Sequence, residues 1–446
     1  MSPHDRPTRT SRTILAFAAA IAVAGCSGKA PPTNSPSDRP AAATTRPAPT
    51  VTVAIPHETA EDGWLVTGRS GDDGLQVILA STAERLFDLP SGVADGTWSH
   101  LVSATTTGKT TTVRDLRIPE LEGASQTIDG AWRLPTVGMD PTPVGVSNDG
   151  RTIVLVETSR PARGPSRFAI IDRTAVATPG IVELPGAFEY DALSPDGRIL
   201  YVVEHLPGPP DGHYQVRSVD TATGTLRAEA VADKNEGDEA MAGWPIAQLQ
   251  RPDGMVFTLY HGAEHPFIHA LSSVDAWALC IDLPATGADD PTAAADWGLT
   301  ATANGSSVVA ANATLGVAVE IPLSDLAVRR IGTFAPSAAT GATLAKFGHQ
   351  AAGVVGRRIV ASPLGSVIYA AGPGGIVALD TSDLSLTARF LEGVAVEAMA
   401  VTPDGGANYA LLHAGGRIVR LDAASGRVTG EVPGKGYDRL AAVVPW

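Results

Sequence analysis

The chain has 446 residues, 44% hydrophobic and 18% charged, which is enough apolar material for a large core in one repetitive unit or in several average domains. Its formal net charge of −14 argues against nucleic acid or anionic lipid as a main partner, since both repel an acidic surface. Two cysteines, Cys26 and Cys280, could pair in principle, but the setting of Cys26 indicates another fate.

The N-terminus has the three parts of an export signal. Arg6, Arg9 and Arg12 form a positive head, and Ile14 to Gly25 is a 12-residue apolar run. At ~1.5 Å per residue this run is too short to cross ~30 Å of hydrocarbon as a helix. The ending Val23-Ala24-Gly25-Cys26 resembles the lipobox of bacterial lipoproteins. The resemblance implies cleavage before Cys26 and a diacylglycerol on its sulfur, tethering the protein to the outer face of the cell membrane; an ordinary cleaved signal is the alternative. Removing three arginines and Asp5 takes the 33 basic and 47 acidic residues to 30 and 46, a net charge of −16. Cys280 would then stand alone in Trp277-Ala278-Leu279-Cys280-Ile281, whose apolar character predicts a buried, unreactive thiol. Residues 27–50 carry six prolines among Ser, Thr and Ala, the composition of an extended, flexible spacer. The expected organisation is a signal peptide over 1–25, lipidated Cys26 and spacer over 26–50, and one folded body over 51–446.

From residue 51 the chain repeats. Eight times a tight turn with glycine precedes a run of β-forming residues, the glycines being Gly63, Gly96, Gly150, Gly197, Gly254, Gly305, Gly365 and Gly405. The clearest copies are Pro195-Asp196-Gly197, Pro252-Asp253-Gly254 and Pro403-Asp404-Gly405. Proline presets φ, Asp or Asn bonds to the local backbone, and Gly accepts the positive φ that closes a hairpin. Successive glycines lie 33, 54, 47, 57, 51, 60 and 40 residues apart, which fits four short strands per repeat with variable loops. Third strands end in Asp at Asp172, Asp220, Asp380 and Asp422, with Gly224 and Gly426 leading into a fourth. No sustained 3.6-residue periodicity competes with this pattern. The chain reads as all-β.

The stretch Ser194-Pro195-Asp196-Gly197-Arg198-Ile199-Leu200-Tyr201-Val202 resembles the repeat of YVTN-type and WD-repeat-like bacterial β-propellers. The resemblance extends in divergent copies over most of residues 60–446, and the Trp-Asp dipeptide of true WD repeats is absent. It implies a single closed propeller of four-stranded antiparallel blades, eight by the turn count, or seven if the two N-terminal units merge. Tyr437-Asp438-Arg439-Leu440-Ala441-Ala442 echoes Tyr190-Asp191-Ala192-Leu193, so the C-terminus is expected to close the ring as the inner strand of the first blade.

Candidate chemistry is sparse. His261, His265 and His269 flank a predicted hairpin, where His261 and His265 could share a zinc or copper ion. Pro266 prevents a helix that would align the three, and only Glu264 is near, so the expected reading is two solvated loop histidines and one strand histidine, with no metal. Gly71-Asp72-Asp73-Gly74 and Asp289-Asp290 show too few oxygens for calcium. Asp220 to Gly224 and Asp422 to Gly426 match the first half of the docking motif of quinone-dependent dehydrogenases. Ala228 and Gly430 stand where that family has Trp, so these are read as hairpin turns and no cofactor is expected. Seven scattered tryptophans read as blade packing before ligand stacking.

The expected function is non-catalytic: a tethered disk whose loops and channel mouth hold a protein, peptide or envelope glycan. Irregular connections at 204–213, 231–248, 284–298 and 333–356 are where recognition is expected. The competing class is a propeller enzyme, lactonase- or hydrolase-like, with a metal at the channel mouth.

Overall fold

The computed structural model describes residues 63–444 except 70, 73, 139–141, 159–163, 175–178, 207–212, 232–240, 263–264, 286–292, 294–295 and 337–355. Cys26, the proline-rich segment, Asp73, Glu264, Asp289, Asp290 and Trp446 lie outside the described residues.

The repeat pattern translates directly into sheets. Eight antiparallel sheets follow one another along the chain, each read from an inner to an outer strand. Blade 4 runs Phe188–Leu193, Ile199–His205, His213–Asp220, Leu226–Ala230, and carries an extra short strand, Met241–Ala242, on its third strand. The inner strands of blades 5, 6, 7 and 8 are Trp244–Gln250, Gly298–Ala301, Ile359–Ala361 and Val396–Val401. Each connection expected to be irregular overlaps a strand at its ends, and 231–248 most of all, since Met241–Ala242 lies inside it and Trp244–Gln250 begins there.

The turns that mark the repeat sit where the inner strand hands over to the second. In blade 4, Ser194 Oγ donates to Asp196 Oδ1 at 2.8 Å, while Ile199 N donates to Ser194 Oγ at 2.9 Å. Ser147 with Asp149, Thr302 with Asn304 and Thr402 with Asp404 repeat this arrangement in blades 3, 6 and 8. The glycine after each has φ near +70°, which a side chain would strain. Blade 2 solves the turn differently: Asp95 accepts from Ser99 N at 2.7 Å, and Trp98, not Gly96, takes the left-handed conformation at φ 58°. At the same end of the blades, in the turn from the third strand to the fourth, Asp220 and Asp422 accept from the amides of Thr223 and Ser425, both at 2.8 Å. The half-motif shared with quinone enzymes is thus a hairpin turn.

The ring closes as expected. Tyr437–Val444 pairs antiparallel with Trp64–Arg69, making blade 1 from both ends of the body. Eight apolar clusters, one at each junction between neighbouring blades, form the core. The junction of blades 8 and 1 unites Tyr409, Leu411 and Ile418 with Leu65, Tyr437 and Leu440. A ring of this kind leaves only short, protected strand edges, which blunts a template for aggregation.

Candidate functional site

The turn ends of blades 6 and 7 open onto a cleft of about 590 Å³. Its walls come from the blade 6 turn Thr302 to Ser307, the blade 6 positions Glu320 to Ser324 and Arg329-Arg330, and the blade 7 turns at Leu364 to Ser366 and Thr381-Ser382. Seven hydroxyl side chains line it. Five of them, Thr302, Ser306, Ser307, Ser324 and Thr381, already donate within the protein and offer a partner their lone pairs, so the surface suits a partner dense in hydroxyl donors.

One buried charge organises the floor. Glu320 is 7% exposed, accepts from Ser307 Oγ at 3.0 Å and faces Arg330 Nη1 at 3.3 Å. Arg330 also donates to the Ser382 carbonyl, so this guanidinium ties blade 6 to blade 7. Beyond the wall, hydrogen bonds from Ser385 hold the Asp383 carboxyl below its ordinary value, with Arg330 adding to the effect. Arg329 is exposed at the rim. The lining carries two arginines against one glutamate, locally positive on a chain of formal charge −14.

The cleft also breaks the rule of its own repeat. Asp149, Asp196, Asp253, Asn304 and Asp404 occupy the middle of the corresponding turns, but blade 7 has Leu364, which is 72% exposed. An acid there would stand at the lip of a positive cleft. The sequence carried this signal in Pro363-Leu364-Gly365, a turn without the side chain that bonds its own backbone. The remaining lining residues come from turns some sixty positions apart and show no local pattern.

The structure distributes the three histidines rather than gathering them. His261 ends the strand Met255–His261 and is 7% exposed, on the face that carries Phe257 and Leu259 towards blade 6. It is therefore a buried strand residue, not the solvated loop residue expected. Burial holds its imidazole below the ordinary value, and Trp244 packs edge-on with ring centroids 4.5 Å apart. His269 pairs in register with Thr258 and lies on the opposite face, beside Tyr260, towards blade 4. His265 turns to the blade's outer edge, with Nδ1 3.6 Å from Asp282. Cys280, opposite His269 in register, is half-buried. Trp132 and Trp297 are core residues, whereas Trp244 is 55% exposed.

No protein-family model matches the chain, and no curated protein matches it. Among solved structures it is similar to dihydro-heme d1 dehydrogenase NirN in complex with DHE, at TM-score 0.51 and 15% identity, over 88% of this chain and 78% of that one. It is similar also to apo AztD from Citrobacter koseri, at TM-score 0.51 and 11% identity, over 86% of this chain and 98% of that one. At these identities the likeness is one of fold, the β-propeller, and function has to be argued from the site.

Proposed function

We propose that the protein is a lipoprotein tethered outside the cytoplasm through Cys26, and that its propeller binds a ligand in the cleft between blades 6 and 7. The cleft's composition carries this reading. Hydroxyls on both walls fit a polyhydroxylated molecule, and the exposed Arg329 fork fits a carboxylate or phosphate on it. Among a protein, a peptide and an envelope glycan, that chemistry favours an acidic glycan. Binding supported by many neutral hydrogen bonds and one or two charges is modest per contact, so a rigid frame matters. The closed ring supplies that frame.

Titration of oligogalacturonate and of a neutral oligosaccharide of equal length into the folded body tests the ligand class. The acidic chain should bind in preference, and Arg329→Ala should weaken it roughly tenfold, about 1.4 kcal/mol. Equal binding of the two, or an unchanged affinity in Arg329→Ala, contradicts the reading. The tether is tested separately: Cys26→Ala should shift the protein from the membrane to the soluble fraction or stall its processing. A wild-type protein found soluble and unacylated would end the lipoprotein reading.

A further inference from the structure

The seam between blades 4 and 5 holds a polar group of a different kind. In the inner strand Phe188–Leu193, Tyr190 pairs with Val202 and Ala192 with Tyr201, leaving Asp191 as the extra residue of a β-bulge. Its side chain is 1% exposed, and neither carboxylate oxygen has a hydrogen-bond partner among the described residues. The Asp191 carbonyl accepts from Gln248 Nε2 at 2.9 Å, from the inner strand of blade 5. The same amide nitrogen donates to Thr258 Oγ1 at 3.0 Å. Both of its hydrogens are thus committed, and Gln248 retains only Oε1, itself buried without a partner. The Gln248 amide therefore offers the Asp191 carboxylate no donor.

Among the described residues no lysine or arginine bonds the Asp191 carboxylate. Glu189 and Tyr190 are on Asp191's own strand, Tyr201 and Tyr214 on the next two, and Tyr260, His269 and Cys280 on the second, third and fourth strands of blade 5. The inner strand of blade 5 has no titratable side chain. Of the blade 4 arginines, Arg217 is bound to Glu204 at 2.6 Å, and Arg198 and Arg227 are exposed. Burial raises four phenols, those of Tyr190, Tyr201, Tyr214 and Tyr260, and a charge on Asp191 adds to the effect.

We infer that Asp191 is carried as an uncharged carboxylic acid and acts as a pH-sensitive latch on the seam between blades 4 and 5. A buried carboxylate to which none of the described residues donates is strongly disfavoured, and a proton is the smallest group that removes the charge. Burial pushes the carboxyl from its ordinary 3.8 to about 7. Between these two values the folded chain keeps a proton that the unfolded chain has lost, so stability falls as pH rises through that window. Above about 7 the loss is complete.

Thermal melting of the full folded protein across this window, beside Asp191→Asn, tests the latch. The wild type should lose melting temperature with rising pH more steeply than Asp191→Asn, and the variant should be the more stable at the alkaline end. Parallel curves would overturn the inference. So would alkaline stability restored by sodium, potassium or calcium, which would place a metal ion where the proton is assigned. Should Asp191→Asn not fold, infrared spectroscopy of the wild type decides. A carboxylic acid carbonyl band present in mild acid and titrating near 7 supports the latch, and its absence in mild acid refutes it.

Discussion

The junctions of blades 6 and 7 and of blades 4 and 5 are built from the same repeat and treat polar groups in opposite ways. At the first, Glu320 is answered by Ser307 and Arg330, and the remaining hydroxyls face an open cleft. At the second, tyrosines and aliphatic side chains fill the space, and Asp191 is left without a donor. The difference follows from position along the blade. The cleft lies at the turn ends, where water can enter and long polar side chains reach one another. Asp191 lies in the body of an inner strand, where a bulge turns one extra side chain into the packing. A paired buried charge fixes geometry, whereas an unpaired one makes stability depend on protonation.

Both junctions belong to one closed ring, and removing the closure should have the largest effect. Truncation after Lys435 takes away Leu440 and Val444, 0% and 4% exposed, and leaves Trp64–Arg69 without its inner partner. At ~25 cal/mol per Å² over a few hundred Å² of apolar surface, the loss is several kcal/mol, comparable to a domain's whole stability of roughly 5–15 kcal/mol. The truncated protein should aggregate or melt far below the parent, as read by sedimentation and calorimetry. Next in size, Arg330→Ala strands the buried Glu320 carboxylate and unties Ser382, so chemical denaturation should show a loss of about 1–3 kcal/mol. A loss indistinguishable from zero would mean that the two junctions are not differently organised after all. Smallest of all, trimming residues 27–45 should leave the melting temperature unchanged, because a proline-rich spacer contributes no core.

Much of the architecture was legible in the residues, for local reasons. Ser194, Asp196 and Gly197 specify their turn by hydrogen bonds and a positive φ that depend on nothing distant, so the turns could be counted and their count of eight matches the blades. The echo of Tyr190-Asp191 in Tyr437-Asp438 located the closing strand, because inner strands share one environment. The site was less legible. His261 and His269 are eight positions apart, but register places them on opposite faces, so their spacing suggested a proximity the fold does not provide. Asp191 read as an ordinary inner-strand residue, since a bulge is set by pairing with the neighbouring strand. The cleft joins turns of different blades, and only Leu364, in a place where the repeat calls for an acid, marked it from within the sequence.

That residue offers the most direct test of the claim that the blade 6–7 cleft binds an acidic ligand. Leu364→Asp restores the side chain found in the other turns, where Asp196 and Asp404 fit without strain, so the fold should be unaffected. It also sets a negative charge on the lip facing Arg329 and Arg330. Isothermal titration of oligogalacturonate should show binding to the wild type that falls at least roughly tenfold in Leu364→Asp, at equal melting temperature. Binding that survives the added acid unchanged, in a protein that remains folded, would contradict the assignment of the cleft.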